Sequence, residues 1–219
     1  CVSVGGAGLG CIINRIGKLR GTDQILVDLL TEEPAAMILI RRKQEIELEV
    51  TRRTLEACRG HAEMLWMGED LSTQRGTMIS LELYRKQIRP RHEQFVQLAQ
   101  AHDLPVMFHS CGACSWAFED FIEIGIDAVD TLQPEAAGLA PERIKREFGD
   151  RLAFHGCIPT GGVTANGTPE EVAERCRRTL EVMMPGGGYC FAPEHQLQDN
   201  TPTQNAVAMY EAAHRFGRY

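Results

Sequence analysis

Apolar and polar positions along the 219-residue chain follow two alternating rhythms. Six brief apolar runs, each bounded by turn or polar residues, predict strands at residues 2–4, 64–68, 105–111, 128–132, 152–158 and 188–192. The longer stretches between them are amphipathic and predict helices. Across 34–58, Leu39, Ile46, Val50 and Ala57 recur at heptad-like intervals. That spacing predicts a helix burying this face while Arg41, Arg42, Lys43 and Glu47 stay in water. Thr168-Pro169-Glu170-Glu171 and Thr201-Pro202 each set an N-cap threonine before a proline at the first helical position, which predicts two helix starts.

Strict alternation of strand and helix predicts an α/β fold with a parallel sheet covered by helices. The right-handed crossover rule leaves an open doubly wound sheet or a closed barrel, and periodicity does not choose between them. A complete (β/α)8 TIM-type barrel has eight strands in about 250 residues. On the barrel reading, six strands mean that the N-terminal strands are missing from this chain. An open barrel leaves two unpaired edges, so an upstream segment or another chain is needed to close the sheet. The start at Cys1, followed almost at once by the glycine-rich 5–10, reads as the interior of a domain. No repeat, low-complexity tract or linker divides the sequence, so residues 1–219 read as a single domain.

Composition narrows the function. With 43% hydrophobic and 24% charged residues the chain can bury a sizeable core. A net charge of -7 offers no field for phosphate backbones or anionic lipids, which disfavours nucleic acid and membrane partners and favours a small-molecule substrate. No apolar run reaches the roughly 18 residues of a membrane-spanning helix and no signal-peptide pattern opens the chain, so a cytoplasmic location is expected. Eight cysteines in a chain of this size, several of them beside histidines, are expected to be reduced thiols, some of them metal ligands.

The chemistry collects at predicted strand ends. His109 and Cys111 are two apart in 105–111 and therefore project to one side as a borderline-soft nitrogen and sulfur pair suited to zinc. Cys114 is a further donor candidate, although it follows the glycine at which the strand should turn. The alternative reading is a buried histidine beside a cysteine acting as a small hydrophobe. His155 and Cys157 repeat the two-residue spacing, and Cys190 and His195 follow the next strand. In a barrel such ends converge on the mouth that carries the active site. Glu69 and Asp70 lie at another strand end as candidates for a ligand, a general base or a substrate contact, the alternative being a helix cap or a solvated loop. Tyr84-Arg85 offers a weak anion contact. His61, His92, His102 and His214 have no partner spacing and read as structural. The glycines of 5–10 lack the Lys-Ser/Thr that would make a phosphate loop.

These residues resemble the uroporphyrinogen decarboxylase superfamily, in particular its branch of zinc-dependent methylcobamide:thiol methyltransferases. The resemblance is clearest from Met64 to Tyr219. It is carried by Glu69-Asp70-Leu71-Ser72-Thr73-Gln74, His109-Ser110-Cys111-Gly112, Gly125-Ile126-Asp127 with Gln133-Pro134, Phe148-Gly149-Asp150, Gly167-Thr168-Pro169-Glu170-Glu171-Val172, and Gly187-Gly188-Tyr189 through Ala192-Pro193 to Thr201-Pro202 and Asn205. It implies a distorted (β/α)8 barrel. It also implies zinc on His109 and Cys111 and on a later position where this chain has His195 in place of the branch's cysteine. Cys157 could restore a second thiolate.

Three functions compete. The first is a zinc-dependent methyltransferase moving a methyl group between a corrinoid, carried on a partner protein, and a thiol. In it Asp70, with Glu69, is the catalytic carboxylate, and Gln74, Tyr84, Gln133 and His155 contact substrate. The second is a cofactor-free decarboxylase of a porphyrinogen-like polycarboxylate, with Asp70 or its neighbour managing the proton. The third is a non-catalytic metal- or tetrapyrrole-binding protein with a closed structural site.

Overall fold

A computed structural model of the chain describes residues 1–218, which fall into two compact units, Cys1–Asp127 and the residues from Ala128 on. In the first unit β1 (Ser3–Gly5) leads through α1 (Ile13–Arg20), α2 (Thr22–Thr31) and α3 (Pro34–Ala57) to β2 (Met64–Gly68). Short α4 (Leu81–Leu83) runs through a π turn at Tyr84–Ile88 into α5 (Arg89–Gln100), followed by β3 (Val106–His109), a 3-10 turn and α6 (Phe118–Ile124). The strands pair in parallel in the order β1-β2-β3, with Gly68 opposite His109. The second unit repeats the pattern: β4 (Ala128–Leu132), α7 (Pro141–Phe148), β5 (Ala153–Ile158), α8 (Gly162–Asn166), α9 (Pro169–Met183), β6 (Tyr189–Pro193) and α10 (Thr203–Phe216). Here too neighbouring strands are parallel, with a register shift between Val129 and Leu132. The fold class is α/β, with the strand and helix alternation of a (β/α)-barrel segment.

The six predicted strands are present with ends displaced by at most two residues. The α3 face is not the expected one. Ile46 and Val50 are exposed, and the buried stripe is Ala36, Ile40, Gln44, Thr51 and Leu55. Gln44 explains part of this: its Oε1 accepts from Arg91 Nη1 at 3.1 Å and its Nε2 donates to the Arg91 carbonyl at 3.3 Å, so a polar side chain is satisfied inside the interface with α5. Ile46 and Val50 instead line an open groove flanked by Arg42, Glu45, Glu49 and Arg53.

The Thr168 start carries a full capping box with Glu171. The Thr201 start does not: Pro202 is extended, with ψ 136°, and α10 begins one residue later, at Thr203. The π turn before α5 has a plain cause. Pro90 has no N–H to continue the helical ladder, so the preceding turn widens.

Phe95, Phe108, Phe118 and Phe121 fill the first core, with Tyr84 and His92 set among them. The second is packed by Ile158, Val172, Cys176 and Met209. All eight cysteines are free thiols. Among the described residues no helix is long and apolar enough to cross a membrane.

Candidate metal centre

The site is built where the loops after β2 and β3 meet. Parallel pairing sets Gly68 beside His109, and the Glu69 N–H donates to the His109 carbonyl at 3.0 Å, so the ladder extends one step past β2. A side chain at 68 would put its Cβ 2.6 Å from that carbonyl, which is why glycine stands there. Beyond His109 the chain turns at Gly112, where φ is +80° and an added Cβ would stand 2.6 Å from the Thr73 carbonyl oxygen, so a side chain is excluded. The two loops are then stitched together. Ala113 N–H donates to the Thr73 carbonyl at 2.9 Å, Ser72 Oγ to the Ala113 carbonyl at 3.1 Å, and Trp116 Nε1 to Ser72 Oγ at 2.8 Å.

This scaffold brings Asp70, His109 and Cys111 together, with one donor atom of each within 4.8 Å of the others. His109 Nε2 lies 3.4 Å from Cys111 Sγ and 3.9 Å from Asp70 Oδ1. Donors bonded to one tetrahedral zinc at 2.0–2.3 Å stand about 3.4–3.6 Å apart, so the three fit a shared ion with only small adjustments. All three are partly buried. Asp70 is fixed on both oxygens, Oδ1 accepting from the Cys111 N–H at 2.9 Å and Oδ2 from Asn14 Nδ2 at 2.6 Å. The Trp66 ring stands edge-on to the His109 imidazole at 6.4 Å. Sequence reasoning missed Asn14 and Trp66, since neither has a spacing that ties it to the cluster.

Glu69 sits differently. It is fully buried, and its carboxylate accepts from the Ile12 and Ile13 N–H groups at 2.5 and 3.1 Å and from the Cys11 thiol at 3.0 Å. Helix α1 has no cap of its own at Ile12, and Glu69 satisfies its first donors from a distant part of the chain. Burial pushes the carboxyl up to about 7 although all three donors pull it down. The glycine-rich 5–10 brings the chain to that cap: Gly6 N–H donates to the Trp66 carbonyl at 2.7 Å and Gly68 N–H to the Leu9 carbonyl at 3.0 Å.

The remaining candidates separate. Cys114 points into the core, where burial pushes its thiol up to about 12. Tyr84 is fully buried against Trp116, Phe121 and His92, and burial raises its hydroxyl well above the ordinary tyrosine range. Arg85 is paired with Asp120 at 2.9 Å. Gln74 is exposed on the loop after Thr73.

In the second unit His155 Nδ1 is 2.6 Å from Asp130, Gln133 is partly buried after β4, and His195 is exposed after β6. Cys157 is fully buried with φ +72°, its thiol pushed up to about 12 by burial. An open cavity of about 610 Å³ lined by Pro134, Glu135, Glu142, Arg175 and Arg178 contains none of the predicted site residues.

Over 123 residues the chain is 26% identical to uroporphyrinogen decarboxylase of Coxiella burnetii, an alignment covering 56% of this chain and 32% of the relative. Over 139 residues it is 23% identical to the methylcobamide:CoM methyltransferase MtbA of Methanosarcina acetivorans, covering 64% and 38% respectively. The matched part thus spans about a third of the length of these curated relatives. Among solved structures, a methyltransferase from Methanosarcina mazei superposes with a TM-score of 0.70 at 15% identity, over 99% of this chain and 59% of that one, and so shares the fold. The family model described as uroporphyrinogen decarboxylase (URO-D) matches residues 9–216, nearly the whole chain, and the chain belongs to that family.

Proposed function

We propose that the chain, as part of a single barrel domain, is the catalytic portion of a zinc-dependent methyltransferase that moves a methyl group between a corrinoid and a thiol or similar small acceptor. The observation that carries this reading is the convergence of Asp70, His109 and Cys111 donor atoms within 4.8 Å. A mixed nitrogen, sulfur and oxygen set matches zinc better than it matches the oxygen-binding cations. Likeness to a methylcobamide:CoM methyltransferase supports the same direction.

His109 Nε2 and Cys111 Sγ would hold the ion, with Asp70 Oδ1 as third donor and His195 the further candidate that the family motif supplies. When bound, zinc supplies a Lewis acid that lowers the pKa of a coordinated thiol. The protein's own contribution is orientation. Asn14 and the Cys111 N–H fix the Asp70 carboxylate, as supporting hydrogen bonds fix ligands in metal sites generally. Glu69 acts one step further back, holding α1 and with it Asn14, so its part is positional. Gln74 and Gln133 are the polar side chains proposed for substrate contact. The corrinoid is proposed to arrive on a partner protein in the cytoplasm.

The test is metal content and methyl transfer in the full-length protein purified under reducing conditions. Stoichiometric zinc, its loss in His109→Ala, and demethylation of methylcobalamin by a thiol that stops on chelation are expected. Release of CO2 from uroporphyrinogen with full activity after chelation would instead establish the decarboxylase reading, which the Coxiella relative represents.

A further inference from the structure

The second unit holds a carboxylate and imidazole pair that the metal cluster does not use. Val129 and Phe154 are register partners and both are buried, on one face of the β4–β5 pair. Successive strand residues point to opposite faces, which sets Asp130 and His155 together on the other face. There His155 Nδ1 and Asp130 Oδ1 are 2.6 Å apart. Carboxylate oxygens accept, so Nδ1 carries the proton and Nε2 is left as the basic nitrogen. The Asp130 side chain is only 7% exposed whereas that of His155 is 35% exposed, so the ring is anchored at one end and reachable at the other. Nε2 makes no hydrogen bond among the described residues.

On the adjacent strand Cys190 is the register partner of His155 and shares its face. Its thiol is raised by burial and by the Asp130 charge.

We infer that Asp130 and His155 form a proton-transfer pair in the second unit, with His155 Nε2 taking the proton of a weakly acidic S–H group on a small substrate and Asp130 as the positioning residue. That the acid is a thiol rests on the methyl-transfer reading; the pair itself does not. In the step the S–H bond breaks, its electron pair stays on sulfur, and the proton bonds to Nε2. The resulting imidazolium faces the Asp130 carboxylate and discharges its proton to solvent through the exposed edge of the ring. The strand spacing showed His155 but gave no sign of Asp130, because the register shift after Val129 alters which β4 residue reaches β5.

The experiment combines two readouts on full-length protein. In a sample labelled with 15N-histidine, two-bond proton–nitrogen spectra above the imidazole titration are expected to show His155 as the Nδ1–H tautomer, and Asp130→Ala to shift it toward Nε2–H. In thiol methylation, His155→Ala is expected to lower kcat by about 100-fold or more with little change in KM, as for loss of a general base. Added imidazole should restore rate in proportion to its free base, and Asp130→Asn should lower kcat without changing KM. An Nε2–H tautomer in the wild type, or wild-type kcat in a folded His155→Ala, overturns the inference. A wild type that shows the Nδ1–H tautomer but methylates no thiol retains the pair and overturns the methyl-transfer reading alone.

Discussion

The Cys111 N–H donates to Asp70 Oδ1 at 2.9 Å, so one carboxylate both closes the turn after β3 and stands beside the His109 imidazole. Asp70→Asn separates these duties, since an amide oxygen still accepts from Cys111 but carries no charge. The variant is expected to fold like the wild type and to bind zinc at least about 10-fold more weakly, because losing a ligand's charge costs no less than losing a group that only supports a ligand. Competition with a chromophoric chelator measures it. Unchanged affinity would remove Asp70 from the ligand set.

Gly112 is needed for a different reason. At φ +80° an alanine costs roughly 1–2 kcal/mol for the left-handed backbone. Its Cβ would also press on the Ser72 and Thr73 carbonyls at 2.7 and 2.6 Å, which are backbone atoms held in the loop stitching. Gly112→Ala should therefore lower unfolding free energy by more than about 2 kcal/mol and weaken zinc binding with it. Denaturant titration with and without metal checks both effects.

How much of this was legible in the sequence depends on how local each determinant is. Strand positions were readable because short apolar runs flanked by turn residues are set within a few residues of each other. The nearness of His109 to Cys111 was readable from their two-residue spacing, but not as two positions of one strand: β3 ends at His109, and Cys111 stands in the turn completed by Gly112. The buried face of α3 was not, because Gln44 is satisfied by Arg91 on α5, and no helical periodicity encodes a partner that far along the chain. Glu69 and Asp70 are adjacent, yet one caps α1 and the other joins the metal cluster. That division is decided by Ile12, Ile13 and Asn14, more than 50 residues away in sequence.

His92 makes acid stability a test of the core. Its ring is fully buried against Phe108 at 4.9 Å, neither nitrogen has a hydrogen-bond partner among the described residues, and burial pushes its pKa down to about 3. A folded pKa below the unfolded value of about 6.5 means the stabilisation is fully present above pH 6.5. It is lost as pH falls from there toward 3, because the unfolded chain binds the proton first. The slope is about 1.4 kcal/mol per pH unit for one such group. His92→Phe should flatten the stability profile over this window while leaving stability near pH 8 within about 1.5 kcal/mol, as for a swap of similar volume. An unchanged acid slope in the variant would show that other groups govern acid unfolding.

Asn205 tests whether a motif residue can be structural in a family defined by its enzymes. The side chain is fully buried, and Nδ2 donates to the Thr164 carbonyl at 3.0 Å and the Gly167 carbonyl at 2.8 Å. It thus ties the first turn of α10 to the middle of α8 and to Gly167, which follows that helix. Asn205→Asp keeps the shape but removes both donors and sets an oxygen against two carbonyls. Asn205→Ala only leaves the carbonyls unpaired, at a cost of about 1–3 kcal/mol. Because a buried carboxylate beside carbonyls resists ionisation, the Asp variant should be less stable than the Ala variant at pH 8, and the gap should narrow as pH falls toward 4. Parallel denaturant titrations of the two variants at pH 8 and pH 4 measure the gap. Equal stability of the two at pH 8 would mean that α8 and α10 move apart to admit water, and that the motif asparagine is retained for something other than this tie.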